Sequence, residues 1–197
     1  MKSLMAKHQG DKAWGFTLTE LLIVVSIIGI LSGISLSTLN NNRRDERLKA
    51  ALRETSVWLD AVRSLAIRQD MACQIQINNS LKRIWIQPTQ TSDPCQTSAL
   101  ADHLIQPQLR PGDTFLLCSK QLTATQDPTT TSITCDSSAT STTKTTFTPR
   151  GTITSTVLIK ATLHNADQGR CIAVVAPLGL IRTGRITNGT CDLTTTF

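Results

Sequence analysis

Six cysteines, one carboxylate inside an apolar run and a set of C-terminal arginines are the side chains whose types and spacing could do chemistry. The cysteines are Cys73, Cys95, Cys118, Cys135, Cys171 and Cys191. They form an even set confined to the distal part of the chain, and no two make a Cys-x-x-Cys pair. That pattern predicts disulfides formed in an oxidising compartment, not zinc binding or dithiol redox chemistry. Six cysteines allow fifteen pairings, and the sequence leaves all of them open. His103 beside Asp102, and His164 near Asp167, are isolated and read as surface histidines, not as a triad or a metal site. The run Gly179-x-x-x-x-Gly184-Arg185-Ile186-Thr187 has nearly the spacing of a phosphate loop. Its lysine position holds Arg, however, and its hydroxyl residue comes one place too late. No catalytic residue, resident metal or cofactor is therefore expected.

The carboxylate is Glu20. It interrupts the stretch Gly15-Phe16-Thr17-Leu18-Thr19-Glu20-Leu21-Leu22-Ile23-Val24-Val25-Ser26-Ile27-Ile28-Gly29-Ile30-Leu31, which is otherwise apolar or small. As a helix, Phe16 to Thr38 would run roughly 34 Å, enough to cross a hydrocarbon core of about 30 Å. An acidic residue in such a span costs about 2.5 to 3.5 kcal/mol at the centre and less near an end, and it marks a functional position whose partner must be found. Residues 1–15 hold Lys2, Lys7 and Lys12 and no apolar core of their own. An ordinary secretory signal keeps its apolar part before the cut; here the apolar part follows. The three lysines favour a cytoplasmic N-terminus, whereas Arg43, Arg44 and Arg47 beyond the span favour the reverse.

This stretch resembles the class III signal of type IV pilins and type II secretion pseudopilins. The short basic leader, the Gly15-Phe16 junction, Glu20 and the long apolar run occur in the family's order. The resemblance implies that a prepilin peptidase cuts between Gly15 and Phe16 and methylates the new N-terminus at Phe16. It also implies that Glu20 pairs with the N-terminal ammonium of a neighbouring subunit during filament assembly. Pairing two charges that are each costly in lipid lowers that cost and fixes axial register. The cytoplasmic position of the peptidase's cut fixes the orientation that the charge count leaves divided.

Beyond the span, Leu48, Ala51, Leu52, Thr55, Trp58, Leu59, Val62, Leu65 and Ala66 recur at three- and four-residue spacing. They predict an amphipathic helix over 40–70 with one apolar face. After Asp70 the period changes. Cys73–Ile77 and Arg83–Gln87 alternate around Asn78-Asn79-Ser80 and predict a hairpin. Pro88 to Pro111 reads as a loop, and Thr114–Cys118 as a short strand. Gln121–Lys144, dominated by Thr and Ser, reads as an exposed loop that a Cys118–Cys135 bridge would pin. The sheet restarts at Thr146–Ile153, continues through Thr156–Asn165 and Arg170–Ala176, and ends with Leu180–Thr187.

The expected domains are thus a leader (1–15), a transmembrane helix (16–39), a periplasmic amphipathic helix (40–70) and a disulfide-linked β-sheet head (71–197). The fold class is α+β, a long N-terminal helix packed on a mostly antiparallel sheet. The whole chain carries a formal net charge of +6; without Lys2, Lys7, Lys12 and Asp11 it keeps 17 basic and 13 acidic side chains, a net +4. That mild excess permits an anionic partner.

The C-terminal half is similar to the GspH/FimT branch of minor pilins and pseudopilins. Phe147-x-Pro149-x-Gly151, Gly169-Arg170-Cys171-Ile172-Ala173-Val174 and Gly179-Leu180-Ile181-Arg182 carry the likeness. The resemblance implies a non-enzymatic subunit. It would be held in the inner membrane by a single pass with its head in the periplasm, and later displayed at the cell surface. Its partners would be other pilins, the prepilin peptidase and an inner-membrane assembly platform, and its task to initiate or cap a pilus-like filament. The alternative is a subunit of a type II secretion system. Some members of the branch bind double-stranded DNA through a Gly-Arg-x-Arg motif; here Leu180 stands at the first arginine position, and Gly184-Arg185 follows. Arg170, Arg182 and Arg185 converging on a hairpin tip would form such a contact, with a log–log salt slope of about −2 to −3. There is no Tyr, and Trp58 lies on the helix's apolar face, so a stacking platform for single strands is poorly supplied.

Overall fold

The computed structural model describes residues 16–88, 95, 100, 102–108, 112, 114–133, 135, 142–163 and 169–194, with the backbone alone for 34–42. The leader 1–15, and with it Gly15, lies outside the described residues, as do His164, Asp167 and most of the 88–112 loop. The chain divides into two compact units, one ending at Asn42 and one spanning Arg43–Phe197.

One helix, α1 (Leu18–Arg68), supplies the described residues of the first unit apart from Phe16 and Thr17, and opens the second. From Phe16 to Gly33 every side chain is exposed, the large apolar ones included. Such a helix satisfies its own backbone hydrogen bonds and lacks a separate polar face. The two serines of this stretch turn their hydroxyls to the backbone: Ser26 Oγ donates to Leu22 O at 2.8 Å and Ser32 Oγ to Ile28 O at 2.7 Å. Among the described residues no helix is long and apolar enough to cross a membrane. The helical stretch with described side chains, Leu18–Gly33, falls short of the roughly 20 residues a span needs. The backbone stays helical through 34–39, the remainder of the expected span.

In the second unit every residue of the expected apolar face is buried, from Leu48 to Ala66, with Leu52, Leu59 and Val62 wholly so. The helix ends where Asp70 takes a left-handed conformation (φ 51°) and Met71 N–H reaches back to Ala66 O at 3.1 Å.

Where the sequence reading expects one sheet, the structure has two. Strands β1 (Cys73–Asn78), β2 (Arg83–Gln87), β3 (Asp102–Leu104) and β5 (Thr142–Phe147) form a sheet in the order β3-β2-β1-β5. Strands β4 (Phe115–Leu122), β6 (Thr156–Leu163), β7 (Gly169–Val175), β8 (Leu180–Thr187) and β9 (Thr190–Asp192) form the other, in the order β4-β6-β7-β8-β9. Every described pairing is antiparallel. The fold is therefore α+β, a helix packed on antiparallel sheets. The apolar stripe of α1 fills the space bounded by Ile75, Ile77, Ile84 and Ile86 of one sheet and Val157, Ile159, Ile172 and Val174 of the other.

A second core lies on the opposite face of the five-stranded sheet, where Cys118, Leu158, Cys171, Ala173 and Ile186 meet Ile133 and Leu193. This corrects the reading of Gln121–Lys144 as an exposed loop. Thr123, Thr125, Thr129 and Thr130 do face water, and Asp127 organises their turn by accepting from Thr129 N–H at 2.8 Å. Ile133, however, is only 5% exposed and closes over the sheet. The loop also contributes the start of β5, and β4 runs four residues beyond the expected Cys118. With both faces covered, β7 is buried almost throughout, and its sequence loses the in–out alternation.

The disulfides join Cys73–Cys95, Cys118–Cys135 and Cys171–Cys191, with Cα–Cα distances of 5.8, 5.4 and 6.0 Å. They close sequence separations of 22, 17 and 20 residues, each worth about 3 kcal/mol in the loop-entropy account.

Leu59 sits at the centre of the stripe with no exposed surface. Leu59→Ala should lower unfolding free energy by about 3 kcal/mol, read as an earlier midpoint in urea; an unchanged midpoint would show that the helix does not carry the core.

Candidate functional site

Three groups of side chains concern function, and each is placed by a different element.

The first is the N-terminus of α1. Thr17 caps the helix: its Oγ1 accepts from Glu20 N–H at 3.3 Å, and its carbonyl accepts from Leu21 N–H at 3.2 Å. Thr17-x-x-Glu20 is thus the sequence of a capping box, and Glu20 lies in the first turn, where the helix dipole favours a carboxylate. Phe16 precedes the cap and is 82% exposed. The cap uses the backbone of Glu20, and the side chain is exposed.

The second group is the arginines. Strands β7 and β8 pair Arg170 with Arg185 and Ala173 with Arg182. Residues facing each other across a ladder share a face, and residues three apart on one strand do not. Arg170 and Arg185 therefore point together, toward the helix, and Arg182 points to the other side. The three do not converge on a hairpin tip, as the sequence reading expects. The turn lies at 176–179, and the Arg170–Arg185 pair stands three positions further from it than Arg182.

What gathers Arg170 and Arg185 is Asp45 of α1. Arg170 is 5% exposed and donates twice, Nε to Oδ1 at 2.9 Å and Nη2 to Oδ2 at 2.6 Å. Arg185 Nη2 adds a third contact to Oδ2 at 3.2 Å, from a side chain 54% exposed. A buried guanidinium needs such a bidentate partner, because leaving it unpaired costs several kcal/mol. The hydrogen bonds from Arg170, opposed by partial burial and aided by both arginine charges, hold the Asp45 carboxyl below its ordinary range. Asp45 is not among the residues that the sequence analysis singles out. The signal was there: Asp45 stands three and seven residues before Leu48 and Leu52, on the same helix stripe.

The third group joins the motifs that carry the C-terminal likeness. Arg63, also on α1, donates from Nε to Gly151 O at 2.9 Å and from Nη2 to Leu178 O at 3.3 Å. Ile153 N–H donates to Pro177 O at 2.9 Å, and a Cβ at Gly179 (φ 63°) would come within 2.6 Å of Gly151 O. Both turns close on each other under one guanidinium. Gly184 has a separate reason: a Cβ there would stand 2.1 Å from Asp192 O, where β9 closes against β8. The glycines that imitate a phosphate loop are thus used by packing.

His103, expected on the surface, is half-buried on β3. It stacks on Trp58, ring centroids 5.8 Å apart and planes 21° from parallel. Thr55 Oγ1 donates to Ala51 O at 2.8 Å and lies 3.1 Å from His103 Nε2, so the geometry makes Nε2–H the donor to the hydroxyl. Burial pushes the imidazole pKa down, and the Glu54 and Asp102 carboxylates pull partly against it. Among the described residues no group of three His, Cys, Asp or Glu side chains could hold a metal ion, and all six cysteines are in disulfides.

These two groups titrate in separate windows. The fold disfavours protonated His103, so the unfolded chain binds more protons there, and stability falls as pH drops below about 6.5 toward the lower folded pKa. Asp45 contributes stability above about pH 4, and that contribution is lost as pH falls through its depressed folded pKa. In a pH series of melting temperatures, His103→Gln should flatten the upper step and Asp45→Asn the lower; a profile unchanged in either variant contradicts the assignment.

No protein-family description and no curated protein matches the sequence. Two crystal structures of the type IV minor pilin FimU from Pseudomonas aeruginosa superpose on the chain. One has 18% identity over 79% of this chain and 95% of that one, with a TM-score of 0.47. The other has 17% identity over 74% and 97%, with a TM-score of 0.42.

Proposed function

We propose that the chain is a non-enzymatic minor pilin or pseudopilin. It is anchored by a single pass in the inner membrane, with its head in the periplasm, until assembly draws it into a filament that it initiates or caps. The observation that carries the reading is the N-terminal helix. Over Leu18–Gly33 it is apolar on every side, exposed in the isolated chain, and bears one carboxylate, Glu20, in the first turn. In sequence it follows a short basic segment ending in Gly15. Cleavage at Gly15-Phe16 by a prepilin peptidase puts a methylated ammonium on Phe16, close to its own Glu20. A neighbouring subunit shifted along the filament axis then offers the same pair in trans, and each charge finds its partner without water.

Residues 34–39, Ile34-Ser35-Leu36-Ser37-Thr38-Leu39, extend the helix to the length a bilayer requires. The assembly platform of a pilus and that of a type II secretion system would engage such a helix alike.

A double-stranded DNA contact has less support. Arg170 is consumed by Asp45, Arg185 is partly so, and Arg182 lies on the opposite face. A shared cationic surface is what phosphate binding needs, and these three side chains do not make one.

Two measurements test the reading. Mass spectrometry of the membrane-extracted protein should find a chain that begins at N-methylated Phe16; a chain starting at Met1 removes the proposal. Glu20→Ala should leave that cleavage intact and reduce incorporation into filaments at least several-fold, scored by immunoblot of sheared filaments against the cell-bound pool.

A further inference from the structure

The outward face of the four-stranded sheet carries side chains that the filament reading does not use. Ile75, Ile77, Ile84 and Ile86 point inward to the core, so the alternate positions point to solvent. The register places Asp102, Trp85, Gln76 and Lys144 in one row across the four strands. Gln87, Gln74 and Thr146 form the next row. Strands stand about 4.8 Å apart, and rows two residues along are separated by about 6.8 Å.

Trp85 is the anomaly. It is half-buried at the centre of a polar face, although solubility asks for no indole there. The Arg83 guanidinium lies 5.9 Å from its ring centroid and is ion-paired with Asp102. The ring offers an apolar plate with Gln76 and Gln87, whose amides both donate and accept, and the Arg83–Asp102 pair beside it on the face.

Three kinds of ligand could use an aromatic plate. Single-stranded nucleic acid needs successive aromatic rings and a cationic track. Here there is one ring, and of the two cations on the face, Arg83 and Lys144, Arg83 is ion-paired with Asp102. A protein partner needs a contiguous apolar centre, whereas Trp85 and the exposed Leu104 are the two apolar side chains of this face among the described residues, set among glutamines, threonines and the Arg83–Asp102 pair. A polysaccharide presents apolar C–H faces flanked by hydroxyls that donate and accept, which matches the plate and the three glutamines of the face, Gln74, Gln76 and Gln87. We propose that the outward face of the four-stranded sheet, centred on Trp85 with Gln76 and Gln74 beside it, binds an extended uncharged polysaccharide chain. The proposal does not depend on the filament reading, and either can fail alone.

The test uses the full chain in lauryldimethylamine oxide micelles, which lack the sugar headgroups that would compete. Affinity electrophoresis through gels containing hydroxyethylcellulose, glucomannan or glycol chitin should show retardation by at least one of them. Titration with cellohexaose or chitohexaose should change tryptophan fluorescence saturably. Trp85→Ala should weaken binding about tenfold or more, with a circular-dichroism melt like that of the parent chain. Gln76→Ala reads the same face with less risk to folding, and it should weaken binding several-fold. Absence of retardation by every polysaccharide overturns the proposal. So does binding that both variants leave unchanged, or a Trp85-dependent shift with oligo(dT) alone.

Discussion

One helix has to fill the inner faces of two sheets, and the head follows from that constraint. A helix in a two-layer packing buries a single stripe against a single sheet. Here the stripe from Leu48 to Ala66 is wide enough to meet isoleucines of β1 and β2 on one flank and valines and isoleucines of β6 and β7 on the other. The polar groups on the same helix fall at the margins of the stripe. Asp45 takes the guanidinium of β7 before the stripe begins, and Arg63 takes the carbonyls of two turns near its end. The apolar contacts supply most of the free energy of folding, and the two ionic or carbonyl contacts fix where along the helix each part of the five-stranded sheet sits.

The motifs in the C-terminal half acquire a physical meaning from that arrangement. Pro149-Arg150-Gly151 and Leu178-Gly179 are far apart in sequence, yet each turn supplies a carbonyl to Arg63. The left-handed conformation and the absence of a Cβ at Gly179 allow the two turns to touch. Gly169-Arg170 plays the equivalent part at the other end of β7, where the arginine reaches Asp45.

What could be read from the sequence was what is periodic and local. The helix stripe was legible residue by residue because nine positions repeat at helical spacing over five turns. The β1–β2 hairpin was legible because alternation flanks a polar turn. Strands β3 and β9, three residues each, are too short to leave a period. The division into two sheets depends on which strand pairs with which, a relation that alternation does not encode. Ile133 is a single apolar residue in a run of Thr and Ser, and its burial follows from what lies beneath it. At the site, the Asp45–Arg170 pair spans a separation of 125 residues, so neither partner announces the other. Trp85 was visible as one of three tryptophans, but only the register shows it bordered by amides.

The three disulfides share a property apart from their stabilising effect. Each joins a cysteine to the very next one along the chain: first to second, third to fourth, fifth to sixth. Of the fifteen pairings this is the one in which no bridge encloses or crosses another. An oxidant that couples thiols two by two, in the order they reach it from the N-terminal side, arrives at the native set directly. The head can then mature without an isomerase to undo mistaken crosslinks.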